Sequence, residues 1–200
     1  MAERPTARAT SDDAPELQAI VAAEVARQVD ALRQEIAAVA ERTPEDRVSL
    51  VVFSGDLDKL IAAFIIATGA AAAGLETSIF VTFWGLSALK SETPPPIHKD
   101  LKQRLFTLLS PGSSKELGTS QLNFFGIGAR MLRAMMQEQG IASLEELMAM
   151  ARELGVKLTA CTMSMDAMGI TKEELIGGIE FGGVAAFMAD ASRSRVSLFI

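Results

Sequence analysis

In the first quarter of the chain the apolar positions Val25, Val29, Leu32, Ile36 and Val39 alternate in steps of four and three. That spacing lays them along one narrow stripe of an α-helix, a coiled-coil seam of barely two heptads. Ser11, Asp12 and Asp13 offer N-caps, Pro15 suits the first turn, and Thr43-Pro44 stops the segment. Residues 1–44 therefore form a helical appendage. A seam this short is marginal alone, so it acts either as a docking tether or as an oligomerisation element.

From residue 48 the pattern changes. "VSLVVF" (48–53) is a continuous β-branched run bounded by "SGDLDK", the Ala-rich "LIAAFIIATGAAAAG" (60–74) reads as a helix, and "TSIFVTFW" (77–84) as a second strand. Strand, helix, strand implies a parallel pair. Further on, Ser143 and Glu146 form a capping box for "SLEELMAMARELG", Gly155 ends that helix, and "VKLTA" (156–160) is the next strand. A second capping box, Thr171 with Glu174, opens a short helix; "GGIEF" makes a strand, Gly182-Gly183 turn into a helix over 184–192, and "VSLFI" closes the chain. Residues 45–200 are thus expected to be a three-layer α/β domain with a mostly parallel sheet of about five strands.

The least regular part lies between the second strand and residue 143. Three prolines, Pro94 to Pro96, break the chain before a helix over 98–109. The following stretch mixes glycines with exposed-looking Phe124 and Phe125 and several methionines; long segments of this kind are lids, binding elements or interfaces. Met131, Met135 and Met148 are read first as fillers of an irregular core, ahead of a Met-rich docking surface.

Composition narrows the class. With 49% hydrophobic and 22% charged residues the 200-residue chain has enough apolar content for one well-cored domain. The single cysteine excludes an internal disulfide and Cys-rich zinc sites, and the N-terminus shows no signal-peptide pattern, so the expected compartment is the cytoplasm and the expected thiol is reduced. A net charge of −6 without a Lys/Arg cluster argues against nucleic acid. The 16 apolar residues between Lys59 and Glu76, at about 1.5 Å each, fall short of a hydrocarbon core about 30 Å thick. No integral span is expected; peripheral membrane association stays open.

Cys161 directly follows the strand 156–160 and precedes what looks like a helix start over Ser164 to Met168. Parallel α/β sheets bind ligands at the carboxyl ends of their strands, and Ser54, Gly55 and Asp56 follow the first strand at the same edge. Unpaired N–H groups at a helix start favour thiolate. The alternative is a cysteine that only finishes a core strand, since Cys is among the most often buried residue types. Both readings stand on the spacing alone.

Three segments carry a resemblance. "LVVFSGDLDKLIAAFIIATGAAAAGLETSIFVTFWGL", "SLEELMAMARELGVKLTACTMSMDAMGI" and "TKEELIGGIEFGGVAAFMA" together resemble the DsrE/DsrF-like sulfur-carrier superfamily, in the subgroup whose cysteine lies in an Ala-Cys-x-Met-Ser-Met-Asp-x-Met-Gly-Ile segment. The likeness covers roughly residues 48–190 in the same order. It implies a flavodoxin-like subunit, usually oligomeric, that accepts sulfane sulfur on Cys161 as a persulfide and passes it to a rhodanese-like or TusA-like partner. No cofactor or metal is implied. Some members carry a second cysteine; this chain has none, so a relay within one subunit is excluded.

On that reading Cys161 is the nucleophile, and backbone N–H groups at Thr162, Met163 and Ser164 stabilise charge on sulfur. Ser54, Gly55, Asp56 and Lys59 line the pocket from the neighbouring turn, with Gly55 expected to provide backbone freedom. Asp56 and Asp58 also read as helix-start charges, and His98, the only histidine, as a surface residue. The competing function is a non-catalytic oligomeric interaction subunit with an inert buried cysteine. A nucleotide-binding enzyme ranks last, because "SGDLDK" lacks the glycine-rich phosphate fingerprints and is acidic.

Overall fold

The computed structural model describes residues 13–95, 103, 107 and 110–200. Ser11, Asp12, His98 and most of the helix expected over 98–109 lie outside the described residues. The contacts divide the chain into Met1–Thr43 and Pro44–Ile200. Among the described residues the first unit holds one helix, α1 (Asp13–Arg42), on which Val25, Leu32, Ile36 and Val39 are exposed.

The second unit alternates strands and helices: β1 (Glu45–Val52), α2 (Leu57–Ala72), β2 (Glu76–Val81), α3 (Ile127–Glu138), α4 (Leu144–Glu153), β3 (Lys157–Cys161), α5 (Thr162–Met168), β4 (Glu180–Gly182), α6 (Val184–Ala191) and β5 (Ser194–Phe199). Among the described residues all four pairings of these strands are parallel, in the order β4-β3-β2-β1-β5. Chain progress from β1 to β4 runs one way across the sheet, and the last crossover returns past β1. Because such crossovers are right-handed, the return helix must take the opposite face. This is what is seen: α2 packs on α4, while α6 lies against β1, β4 and β5. Helix, sheet and helix make the three layers of a flavodoxin-like architecture.

The two sheet faces are built from different residues. Leu50, Ile79 and Leu158 stand in register across β1, β2 and β3, and with Val52, Val81 and Ala160 they join Leu57, Leu60, Phe64, Leu144 and Met148 in the core. The opposite face is lined by small polar side chains: the Ser49 hydroxyl meets those of Ser78 at 3.1 Å and Ser194 at 2.7 Å. Above them Phe80 packs on Phe187 of α6, with ring centroids 5.4 Å apart. The capping box at α4 is present, Ser143 Oγ accepting from the Glu146 N–H and the Glu146 carboxylate from the Ser143 N–H.

Several boundaries move from their sequence expectation. The second strand ends at Val81 rather than Trp84, because Thr82 caps a 3-10 turn over Phe83–Leu89 and Phe83 has a positive φ of 44°. The third strand includes Cys161, and the following helix starts at Thr162. Met148 is buried as expected of a core filler, but Met131 and Met135 are exposed on α3. The core beneath α3 is filled instead by Ala129 and Met136. No helix among the described residues is long and apolar enough to cross a membrane.

Candidate functional site

β3 ends on Cys161, which pairs with Gly182 of β4 and has the extended backbone (φ −71°, ψ 112°) of an N-cap residue for α5. The chain must turn here because α5 follows without a linker. Its Sγ is thereby held beside the first N–H groups of that helix, which lack partners within the helix. Only 2% of Cys161 is exposed, and Ser164, one turn along, is fully buried. Met163, by contrast, is exposed.

The neighbouring strand end supplies the second wall. Thr82, the first residue after β2, is buried, and its hydroxyl lies 2.6 Å from that of Ser164. Two hydroxyls have two protons, and one is used in their mutual bond. The other remains free to donate to sulfur, from whichever hydroxyl accepts in that bond. Burial by itself raises the Cys161 thiol, because the thiolate is desolvated. The Ser164 and Met163 N–H groups, together with whichever hydroxyl of the Ser164–Thr82 pair is free to donate, outweigh this as donors to sulfur, holding the thiol below its ordinary value. The result is a thiol with enhanced thiolate character in a dry setting.

The turn after β1 is differently wired. The Ser54 hydroxyl donates to the Asp56 carboxylate at 2.8 Å and accepts from the Asp56 N–H at 3.1 Å, and Asp56 pairs with Lys59 at 2.8 Å. Among the described residues no hydrogen bond joins Ser54, Gly55 or Asp56 to Cys161; β2 stands between β1 and β3. Gly55 is required for a reason other than backbone freedom: its φ is not in the left-handed region, and a Cβ there would sit 2.7 Å from the Trp84 carbonyl oxygen. Asp58 has a structural task, accepting from the Ser120 N–H and hydroxyl at 2.8 and 2.6 Å. Burial pushes its carboxyl up, but these Ser120 bonds hold it below the usual carboxylate value.

Sequence reasoning brought Cys161, Thr162, Met163 and Ser164 to one place simply because they are consecutive. It missed Thr82. The signal was available: Thr82 is a polar residue at the carboxyl end of a parallel strand, the same criterion that selected Ser54 to Asp56. It was hidden inside an apolar run that continues through Phe83 and Trp84. Among the described residues no group of three or more His, Cys, Asp or Glu side chains is arranged to hold a metal ion.

A parallel α/β domain with its one thiol at the carboxyl edge of the sheet, in contact with hydroxyl and backbone donors, is the class these features define. Residues 44–199 match the DsrE/DsrF/DrsH-like family, and the chain belongs to it. It is 45% identical over 154 residues to the protein YrkE of Bacillus subtilis (strain 168), covering 77% of this chain and 96% of that one. It is 32% identical over 168 residues to the sulfur carrier protein DsrE2 of Allochromatium vinosum, covering 78% and 99%. Among solved structures, the ychN protein from E. coli matches with a TM-score of 0.45 and 12% identity, over 77% of this chain and 99% of that one.

Proposed function

We propose that the protein is a cytoplasmic sulfur carrier that accepts sulfane sulfur on Cys161 as a persulfide and hands it to a partner protein. The observation that carries the reading is the convergence of Ser164, Thr82 and the Met163 N–H on a thiol at the carboxyl edge of the sheet. The family, and the relative named as a sulfur carrier, support the same reading. In the loading step the Cys161 thiolate attacks the outer sulfur of a donor persulfide. The new Sγ–S bond forms as the donor's S–S bond breaks, and the donor leaves as thiolate. Unloading is the same exchange in reverse direction, with the acceptor's thiolate attacking the outer sulfur of Cys161. No oxidant or reductant enters. Hydroxyl and N–H donors favour each thiolate stage, and Cys161 departs as a good leaving group for the reason that makes it acidic. Rhodanese-like donors and TusA-like acceptors fit this chemistry.

Oligomerisation of the sheet domain is part of the proposal. Val184 and Met188 of α6, Phe199 of β5, and Phe124, Phe125, Met131 and Met135 around α3 are exposed, and a homo-oligomer would cover such surface. Light scattering at micromolar concentration should report a mass above that of one chain.

The burial of Cys161 favours a second reading, an interaction subunit whose cysteine is inert. Intact mass after incubation with inorganic polysulfide, or with thiosulfate plus a rhodanese, separates the two. A carrier gains mass in steps of about 32 Da that dithiothreitol removes, and Cys161→Ser gains none while remaining folded. Protein that neither loads sulfur nor alkylates until denatured would establish the inert reading.

A further inference from the structure

Residues before 44 lie outside the family match, and the two curated relatives are covered almost completely by about three-quarters of this chain. The unit they leave over is α1, 30 residues and so about 45 Å long. Its apolar positions continue as a heptad from Ala22: Ala22, Val29 and Ile36 occupy one seam position, and Val25, Leu32 and Val39 the other. All six are exposed on the helix.

The width of the stripe identifies what covers it. A helix that packs on a globular core needs an apolar face at least about 100° wide. From Ala22 to Val39 the large apolar residues of α1 are confined to the two seam positions, although Leu17, Ile20 and Val21 before them are exposed off the seam, and a stripe that narrow fits a second helix of the same kind. On α1 the flanks are closed to a broader apolar contact by Gln28, Arg33 and Glu35. Glu24 and Arg27 pair at 2.7 Å on the outer side, and Asp30 and Arg33 at 3.3 Å. β-Branched Val29 and Ile36 at the first seam position, with Leu32 at the centre of the second, match the preference of two parallel strands, while Val25 and Val39 at the second position do not add to it. In that register Gln28 faces Arg33 of the other copy and Glu35 faces Ala40, so no like charges meet.

We infer that α1 is a self-association element: two copies of this chain pair through α1 in a parallel two-stranded coiled coil. The consequence for the particle is two copies of Cys161 in one assembly, although each chain has only one thiol. This inference stands independently of what Cys161 does.

Disulfide trapping in the full-length chain tests it, in a Cys161→Ser background so that the introduced thiol is the only one. In a parallel pair Val39→Cys faces its own copy, and mild oxidation should link nearly all of the protein as dimers. Gln34→Cys, on the outer side of α1, should link at least tenfold more slowly. Adding Leu32→Lys and Ile36→Lys to Val39→Cys should remove the fast cross-link. The inference is overturned if Val39→Cys stays unlinked, as a tether or a helix docked on its own domain requires. It is equally overturned if Gln34→Cys links as fast. An antiparallel pair would reveal itself by faster linking of mixed Ala22→Cys and Val39→Cys protein than of Val39→Cys alone.

Discussion

Three adjacent strand ends open on the carboxyl edge of the sheet, and the first spends its polar groups in the opposite way to the other two. After β1, Ser54, Asp56 and Lys59 satisfy one another, and Gly55 is held against the Trp84 backbone. After β2 and β3, Thr82 and Ser164 share one hydroxyl bond and leave donor capacity directed at a sulfur. Position at a strand end is therefore not enough to define a site. What matters is whether the local hydrogen bonds close on themselves or leave a donor for a ligand or a reacting atom, and only the second arrangement changes the chemistry of a side chain.

The comparison breaks most visibly if the donors are removed. Ser164→Ala takes away a hydrogen bond to an ionised group, a contribution of about 1.5–3 kcal/mol. The thiolate population at neutral pH should drop, while the higher basicity of the remaining thiolate returns part of the reactivity. The net fall in iodoacetamide rate is expected to be roughly three- to fifteenfold, with Thr82→Val following in the same direction. Rates unchanged across pH 6–9 would show that neither hydroxyl acts on Cys161.

Next in size is Gly55→Val, which forces side-chain carbon against a backbone oxygen and should cost about 1–3 kcal/mol in stability, read from denaturant midpoints. Asp58→Asn keeps the shape but turns one of the two oxygens that accept from Ser120 into an amide donor, a loss offset where the Ser120 hydroxyl turns to accept, so it should cost about 1 kcal/mol, less than Gly55→Val. If the two variants unfold alike, the close approach to Trp84 is not a constraint.

A smaller effect is the pH dependence of stability. The native Cys161 thiol titrates below its unfolded value of about 8.5. In the window between the two, the unfolded chain binds more protons, so stability rises with pH. That contribution is complete above the unfolded value and is lost as pH falls through the native one. The difference in melting temperature between the wild type and Cys161→Ser should therefore shift in favour of the wild type on going up to about pH 8.5. A difference independent of pH would mean that the native thiol is not acidified.

The smallest expected effect sharpens the comparison from the other side. Ser54→Ala and Asp56→Asn should leave the alkylation profile of Cys161 superimposable on that of the wild type, because their bonds end within their own turn. A shifted profile in either variant would couple the first turn to the thiol after all.

Much of this protein was determined by local sequence. The α1 seam, the parallel alternation from β1 to β5, the Ser143 and Glu146 box and the placement of Cys161 between a strand and a helix all follow from spacings within a few residues. Such features depend on backbone hydrogen bonding and on which side of one element is apolar. Three matters were decided only by the tertiary structure. Val81 ends β2 because Phe83 adopts a positive φ, and no glycine or proline announces that break until Gly85. Met148 is covered while Met131 and Met135 are not, because helical spacing shows that a stripe exists but not what lies over it. Thr82 meets Ser164 across 82 residues of sequence. A hydroxyl contact of that range depends on strand order and register, set by the packing of whole elements rather than by any local pattern.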